Sequence, residues 1–252
     1  MNLESKKTVG CCKILGVEIS TIDMARTLAY IEEHFDEMKG KYICVSNVHT
    51  TVMSDENKKY MSVQNGAELA LPDGKPLSVV CKKRGFKNVA RVTGPELMEE
   101  IFKISAQKNY SHYFYGSTDE TLLQLKRKLL DKYPGIQIAG MYSPPFRELT
   151  IEEDEKIVGE INKLSPDFVW VGLGAPKQEI WMAKHKEKVL GIMVGVGAGF
   201  DYHAGNIKRA PKWMQKCSLE WFYRLAQDPK RLFKRYMTTN FKFILKAVIL
   251  GK

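Results

Sequence analysis

The chain has 252 residues, 44% hydrophobic and 27% charged, which is typical of a globular protein with a substantial core. The first residues, MNLESKKTVG, contain no apolar stretch, and no run approaches about 18 apolar residues, so we expect neither a secretory signal nor a spanning helix. The five cysteines lack paired spacing, which argues against a disulfide framework or a structural zinc site and favours the reducing cytosol.

The net charge of +10 is concentrated at one end of the chain. Residues 208–252 contain twelve Lys and Arg against two acidic residues, whereas residues 1–207 sum to zero. This distribution predicts that the basic end contacts a polyanionic surface, either phospholipid head groups or nucleic acid.

Strand and helix patterns alternate along the chain. The predicted strands are short apolar or aromatic runs at 42–46, 112–116, 136–142, 168–173 and 192–196. Helices are predicted at 21–35 and 95–105, and after the capping-box patterns STDE (117–120) and TIEE (150–153). Because such alternation produces right-handed βαβ units, the fold class is α/β, a Rossmann-like parallel sheet flanked by helices.

The C-terminal part has a different pattern. After an α/β body over residues 1–205, residues 206–252 form a mainly helical, basic appendage, with helices predicted at 211–225 and 229–250. Open parallel sheets bind ligands beyond the carboxyl ends of their strands. Unusual residues cluster at such ends in SNVHT (46–50), LPDG (71–74), GLGAPKQE (172–179) and GVGAGFD (195–201).

The GLGAPKQE segment joins a buried strand to a helix. Its small residues, Gly172 and Gly174 among them, allow close approach of a ligand, and a helix start offers N–H groups to an anion. Lys177 adds a charge, and Gln178 and Glu179 add hydrogen-bonding groups. The alternative is a tight turn with no ligand, and P-loop spacing is missing.

In GVGAGFD, Gly197 and Gly199 precede Asp201, which can accept hydrogen bonds from a ribose or a base edge. The alternative is a crowded strand end where only glycine fits. No acidic residue follows at the interval expected for ribose binding, which argues against a nicotinamide enzyme.

Asp73 in LPDG has two interpretations. It is typical of a turn, and its carboxylate could also serve as a general base beside a bound sugar. His49 and Thr50 are interpreted as local hydrogen-bonding residues.

The basic end places Arg224, Arg231 and Arg235 along one side of a helix, an arrangement that suits a diphosphate. Aromatic and aliphatic residues between them suit a helix lying in lipid head groups. The alternative is a solvated cationic face on a helix packed against the body. No nucleic-acid-binding motif is present, so a nucleic-acid partner is not expected.

Taken together, these segments resemble the WecG/TagA/CpsF family of glycosyltransferases. The resemblance covers nearly the whole chain and rests on motifs in a fixed order: ILGV (14–17), LPDG (71–74), RVTG (91–94), GAPKQE (174–179), GAGFD (197–201), KRAP (208–211) and EWFYRL (220–225).

The resemblance implies an inverting, metal-independent enzyme that uses a UDP-sugar and needs no cofactor. The implied reaction adds N-acetylmannosamine to undecaprenyl-diphosphate-linked N-acetylglucosamine in wall teichoic acid synthesis. Asp73 matches the proposed catalytic base, Gln178 and Asp201 match residues of the nucleotide-sugar pocket, and Arg224, Arg231 and Arg235 match arginines that meet the lipid diphosphate.

Ser46 stands where family members often have Thr, and its hydroxyl is expected to position substrate. Asn47 stands where related teichoic-acid enzymes often have Pro. Asn47 and Gly116, at the ends of two predicted strands, complete the expected nucleotide-sugar contacts. We expect a peripheral protein at the inner face of the cell membrane, with self-association left open. Transfer of another UDP-hexose into exopolysaccharide or capsule, a nucleotide- or nucleic-acid-binding regulator and a membrane scaffold remain alternatives.

Overall fold

The computed structural model describes residues 9–211, 213–214 and 220–251. The strands are β1 (Cys11–Ile14), β2 (Val17–Ser20), β3 (Tyr42–Ser46), β4 (Leu69–Pro72), β5 (Ser111–Gly116), β6 (Gln137–Tyr142), β7 (Phe168–Gly172) and β8 (Ile192–Gly195). The first two strands pair as an antiparallel hairpin, and the other six form one parallel sheet in the order β4-β3-β8-β7-β5-β6.

Helices cover both faces of this sheet. They are α1 (Met24–Glu33), α2 (Phe35–Met38), α3 (Val48–Glu56), α4 (Lys58–Asn65), α5 (Lys75–Lys83), α6 (Gly94–Lys108), α7 (Asp119–Lys132), α8 (Ile151–Lys163), α9 (Lys177–Lys184), α10 (Gly199–Ala204), α11 (Glu220–Gln227) and α12 (Pro229–Phe243). A π-helical segment, Ile244–Ile249, continues α12. The predicted α/β class, with a parallel sheet flanked by helices, is confirmed.

Alternate residues of each strand enter different cores. Trp170 and Phe168 of β7 pack with one set of buried side chains, and Val169 and Val171 pack with another on the opposite face. Burial on both faces explains why this strand is a nearly continuous apolar run in the sequence. The chain leaves β3 toward one edge of the sheet and β5 toward the other, and open α/β sheets bind ligands where the strand order reverses in this way.

The β1–β2 hairpin was missed by the sequence analysis. Its two turn residues, Leu15 and Gly16, have φ of 49° and 85°, as a two-residue type I′ turn requires. Leucine is an unusual residue at the first of these positions, so the usual Asn-Gly or Asp-Gly signal is absent. The hairpin buries Ile14, Val17 and Ile19 in a third core, against α3 and α5.

One capping box is confirmed and one is corrected. Thr150 caps α8 and Glu153 returns the bond to the backbone N–H of Thr150. In STDE, the cap of α7 is Thr118, which accepts from the backbone N–H of Thr121. Ser117, the residue at which that pattern began, has φ of 64° and lies outside the helix.

The C-terminal helices pack onto the body. Phe243 and Ala247 are buried in the third core, and Lys242 and Lys246 form ion pairs with Glu56 and Asp55 of α3. The helix predicted over 211–225 is described only in part, whereas that over 229–250 is observed as α12 and the π-helical segment. The division at residue 205 stays a prediction.

No helix within the described ranges is both long enough and apolar enough to cross a membrane.

Gly116→Ala should destabilise the fold because the added Cβ would lie 2.6 Å from the carbonyl carbon of Gly172. Overpacking of this kind typically costs about 1–3 kcal/mol. Gly159→Ala in α8 is the matched control, since its Cβ would meet nothing within 4 Å and alanine favours a helix by up to about 1 kcal/mol. Thermal denaturation should lower Tm for the first variant and leave or raise it for the second. Equal Tm values would contradict the close strand contact.

Candidate active site

The segments singled out in the sequence meet at the carboxyl edge of the sheet. Ser46 ends β3, Asp73 follows β4, Gly116 ends β5, and glycine-rich turns follow β7 and β8. In the strand order, β4 and β7 are three steps apart, or about 14 Å at the usual spacing of parallel strands. A carboxylate, a hydroxyl and two open turns therefore share one edge.

Asp73 lies directly beyond β4. Its backbone N–H donates to the carbonyl of Ser46 at 2.7 Å, which extends the pairing of β3 and β4 by one residue. Gly74, with φ of 89°, then occupies the N-cap position of α5. The side chain of Asp73 is half-buried, so it remains accessible from the edge. Asp73 is thus a turn residue, and its position also permits the role of base.

The side chains of Ser46 and Asn47 are committed to the protein. Ser46 is fully buried, and its Oγ donates to Oε1 of Gln64 at 2.6 Å. The Asn47 Oδ1 accepts from the backbone N–H groups of His49 and Thr50, and so caps α3. Thr50 Oγ1 accepts from the backbone N–H of Asn47, as expected for a local hydrogen-bonding residue. Contact of Ser46 or Asn47 with a substrate stays a prediction.

Gln178 joins the two glycine-rich turns. Its Oε1 accepts from the backbone N–H of Gly174 at 3.2 Å and from that of Gly197 at 2.9 Å. These two glycines have φ of 76° and 53°, which few other residues adopt. Lys177, next to Gln178, is exposed. Gln178 therefore links the turns after β7 and β8 to each other from the protein interior.

The glycines fall into two groups. A Cβ on Gly116 would meet the backbone of Gly172, one on Gly172 would lie 2.8 Å from the Phe200 ring, and one on Gly199 would lie 2.7 Å from Sδ of Met98. Packing alone accounts for glycine at these three positions. Gly174 differs, because a Cβ there would have nothing within 4 Å. Its backbone is open to approach, as a binding turn requires.

Glu179 lies behind the turns and not at their surface. Only 1% of the residue is exposed, and its two oxygens accept from Nε2 of Gln178 at 2.8 Å and from the hydroxyl of Tyr60 at 3.1 Å. Burial raises the pKa of Glu179. The sequence analysis placed this residue among the nucleotide-sugar contacts, and the structure gives it no exposed surface for that role.

The sequence analysis missed two members of this cluster, Tyr60 and Gln64. They lie four residues apart on α4, and Nε2 of Gln64 donates to the hydroxyl of Tyr60 at 2.9 Å. Two polar residues on the buried side of a short polar helix give no periodic apolar signal. Their spacing by one helical turn was the only available clue.

Asp201 occupies the first turn of α10, beyond β8. It is half-buried, and its Oδ1 accepts from Nδ2 of Asn206 at 3.2 Å. Its neighbour Tyr202 contacts the appendage: the Arg224 guanidinium lies 5.6 Å from the centre of the Tyr202 ring, a cation–π distance. Arg224 lies on α11, whereas Arg231 and Arg235 lie on α12, so the prediction that all three share one side of a single helix is wrong. The side chains of Arg231 and Arg235 lie outside the described part of the structure.

Arg91 and Arg209 share the carboxylate of Glu96. Glu96 Oε1 accepts from Arg91 at 2.6 Å and from Arg209 at 2.7 Å. The residue after Arg91 donates its backbone N–H to the carbonyl of Pro72 at 2.9 Å. The Glu96 carboxylate thus links Arg209, at the start of the appendage, to Arg91 of the RVTG segment next to β4.

Two cavities, of about 300 Å³ and 330 Å³, flank the sheet edge, and Tyr202, the neighbour of Asp201, lines the second. The first lies beside the hairpin, around Thr21, Arg26 and Lys87, and the second lies between Lys132 and His203. Within the described ranges, no three His, Cys, Asp or Glu side chains are grouped to hold a metal ion. The candidate site therefore rests on the sheet edge, and metal independence stays a prediction.

Comparison with known proteins shows the family to which the chain belongs. Residues 12–251 match the model of the glycosyl transferase WecG/TagA/CpsF family. Similar proteins occur in Bacillus spizizenii (31% identity over 79% of this chain and 76% of the relative), Bacillus subtilis strain 168 (29%, over 83% and 80%) and Staphylococcus aureus strain MW2 (28%, over 92% and 91%). Each of these relatives is named an N-acetylglucosaminyldiphosphoundecaprenol N-acetyl-beta-D-mannosaminyltransferase. The chain belongs to the WecG/TagA/CpsF family of glycosyl transferases.

Proposed function

We propose that this protein transfers N-acetyl-D-mannosamine from its UDP-sugar, with inversion, to undecaprenyl-diphosphate-linked N-acetylglucosamine. The observation that carries the proposal is the placement of Asp73 on the same sheet edge as the open turns at Gly174 and Gly197. The names of the bacterial relatives support this choice of sugar and acceptor. The product would enter a cell-surface polymer such as teichoic acid.

The donor would bind across the ends of β7 and β8. Gly174 offers unobstructed backbone, and Lys177 is an exposed cation at the start of α9. A helix start with a neighbouring lysine favours a diphosphate. Asp201, half-buried at the start of α10, would accept hydrogen bonds from the nucleoside.

Asp73 would act as the general base. Its carboxylate takes the proton of the attacking acceptor hydroxyl, the new bond forms between that oxygen and the anomeric carbon, and the bond from this carbon to the phosphate oxygen breaks. UDP leaves with the electron pair. Attack from the side opposite the leaving group inverts the anomeric configuration, and no covalent enzyme intermediate is required.

The appendage would deliver the acceptor. Arg224 lies beside α10 through its contact with Tyr202, and Arg231 and Arg235 follow on α12. Arginines bind phosphate oxygens through paired hydrogen bonds. We propose that Arg224, Arg231 and Arg235 together hold the acceptor diphosphate.

Apolar side chains of the appendage would contact the membrane. An exposed apolar stripe, defined by its spacing of three or four residues, runs along α12 and the π-helical segment and comprises Phe233, Met237, Phe241, Ile244 and Val248. Each of these residues is at least 44% exposed. Such a stripe beside basic residues suits an interfacial helix. We propose peripheral attachment at the inner face of the cell membrane.

Asp73→Asn should fold normally and lose about 100- to 10,000-fold in turnover, because the amide cannot accept the proton. Transfer is measured with UDP-N-acetylmannosamine and a short-chain lipid-diphosphate acceptor, by product mass. Asp36→Asn on α2 is the matched control, since its carboxylate is 90% exposed and away from the sheet edge. Near-full activity of Asp73→Asn would remove this residue from the mechanism.

A donor panel tests the choice of sugar. The wild-type protein should transfer N-acetylmannosamine faster than glucose, N-acetylglucosamine or a mannosaminuronic acid from their UDP derivatives. Faster transfer of another hexose would keep the class of enzyme and change the substrate. No product with any UDP-sugar would contradict the proposed function.

Phe241→Ser combined with Val248→Ser should abolish co-sedimentation with vesicles of anionic phospholipid. Both side chains are exposed, so the fold should be retained. Phe146→Ser with Leu123→Ser, exposed apolar residues on the body, provides the control and should bind vesicles as the wild type does. Unchanged vesicle binding, accompanied by loss of concentration-dependent self-association, would assign the stripe to an interface between copies of the chain.

A further inference from the structure

A buried chain of hydrogen bonds runs behind the candidate site. It links Ser46 to Gln64, Gln64 to Tyr60, Tyr60 to Glu179 and Glu179 to Gln178, with heavy-atom distances between 2.6 and 3.1 Å. Each of these five residues is at most 4% exposed. Gln178 then accepts from the two glycine-rich turns. This chain of hydrogen bonds therefore connects the end of β3 with the ends of β7 and β8 through side chains alone.

The hydrogen bonds of this chain run toward Glu179 from both sides. The backbone N–H groups of Gly174 and Gly197 make Oε1 of Gln178 an acceptor, so Nε2 of Gln178 must donate to Glu179. From the other side, Ser46 donates to Gln64, which donates to Tyr60, so the proton of Tyr60 goes to Glu179. Both halves end on this carboxylate, the one member that can accept on two oxygens without donating.

Burying the carboxylate of Glu179 at this position costs folding free energy. Burial raises its pKa, and no Lys or Arg within the described ranges forms an ion pair with it. Replacing both partners of a buried hydrogen bond by apolar groups of the same shape can be nearly neutral or stabilising. A role in stability alone therefore does not account for this chain, whereas a need to hold two turns at fixed positions does.

We propose that Tyr60 and Glu179 are positioning residues for glycosyl transfer: they act through Gln178 to hold the turns at Gly174 and Gly197 in the geometry that receives the UDP-sugar. This inference rests on the proposed function. Neither residue needs to touch the substrate. The backbone of Asp73 is held by hydrogen bonds from its N–H to the carbonyls of Ser46 and Leu71.

The substitutions Tyr60→Phe and Glu179→Gln test the proposal. The first removes the hydroxyl and keeps the ring. The second keeps the shape, but an amide has one acceptor oxygen where the carboxylate has two, so either Nε2 of Gln178 or the hydroxyl of Tyr60 loses its acceptor. The matched control is Tyr42→Phe, because Tyr42 is also buried and donates its hydroxyl to α4, at the carbonyl of Val63, outside the chain.

Kinetics with UDP-N-acetylmannosamine and the lipid acceptor should separate positioning from simple stabilisation. In both test variants the KM for the donor should rise about tenfold, as expected for one unsatisfied buried group, with kcat and the acceptor KM nearly unchanged. The control should keep the wild-type donor KM. A fall in kcat at constant donor KM would show that the turns still receive the donor normally and would overturn the proposal.

Amide hydrogen exchange supplies a readout that does not depend on activity. The backbone N–H groups of Gly174 and Gly197 should exchange several-fold faster in both test variants than in the wild type or Tyr42→Phe. Unchanged exchange, or faster exchange with an unchanged donor KM, would overturn the proposal. Absence of transfer by the wild-type protein would instead contradict the proposed function, while exchange would still show whether the pair holds the turns. If Glu179→Gln does not fold, Tyr60→Phe decides the question.

Discussion

The parallel pairing of β3 with its two neighbours is the constraint on which the rest of the structure depends. Its register sets Ser46 opposite Pro72 and Cys44 opposite Gly195, so segments more than a hundred residues apart in sequence end at one edge. The bond from the Asp73 N–H to Ser46 continues that pairing beyond β4. The position of the candidate base is thus set by the backbone of the sheet and not by a flexible loop.

The turns of the edge are ordered by a different means. Loops that follow strands are commonly mobile, because their backbone hydrogen bonds are exposed to solvent. Here the turns after β7 and β8 are tied to each other through one glutamine amide, and that amide is tied to the protein interior. Three nearby glycines, Gly116, Gly172 and Gly199, are required by close packing, whereas the backbone at Gly174 is open to a ligand. Glycines that close packing requires and a glycine that is accessible to a ligand therefore lie within a few residues of one another.

The sequence predicted the fold well where hydrophobic patterns were strong. The buried strands at 42–46, 112–116 and 168–172 and the helix after Thr150 were placed to within about one or two residues, because their apolar runs and caps leave few alternatives. The hairpin was not predicted, since Leu15 at its turn carries no turn signal. The partners of Glu179 were not predicted either, because a contact across 119 residues is determined by how α4 and α9 pack, and one sequence does not record it.

The attachment of α12 to α3 has a mechanical consequence. Two ion pairs and the buried side chains of Phe243 and Ala247 join them, and α3 begins directly after β3, at the edge that carries the candidate site. The 15 residues of α12 extend about 22 Å at the rise of an α-helix. Because α12 is attached in this way, the exposed apolar stripe keeps a fixed orientation relative to the sheet. If the protein docks through that stripe as proposed, the fold sets the angle between the bilayer and the edge that carries the candidate site, and with it the direction from which the proposed acceptor would arrive.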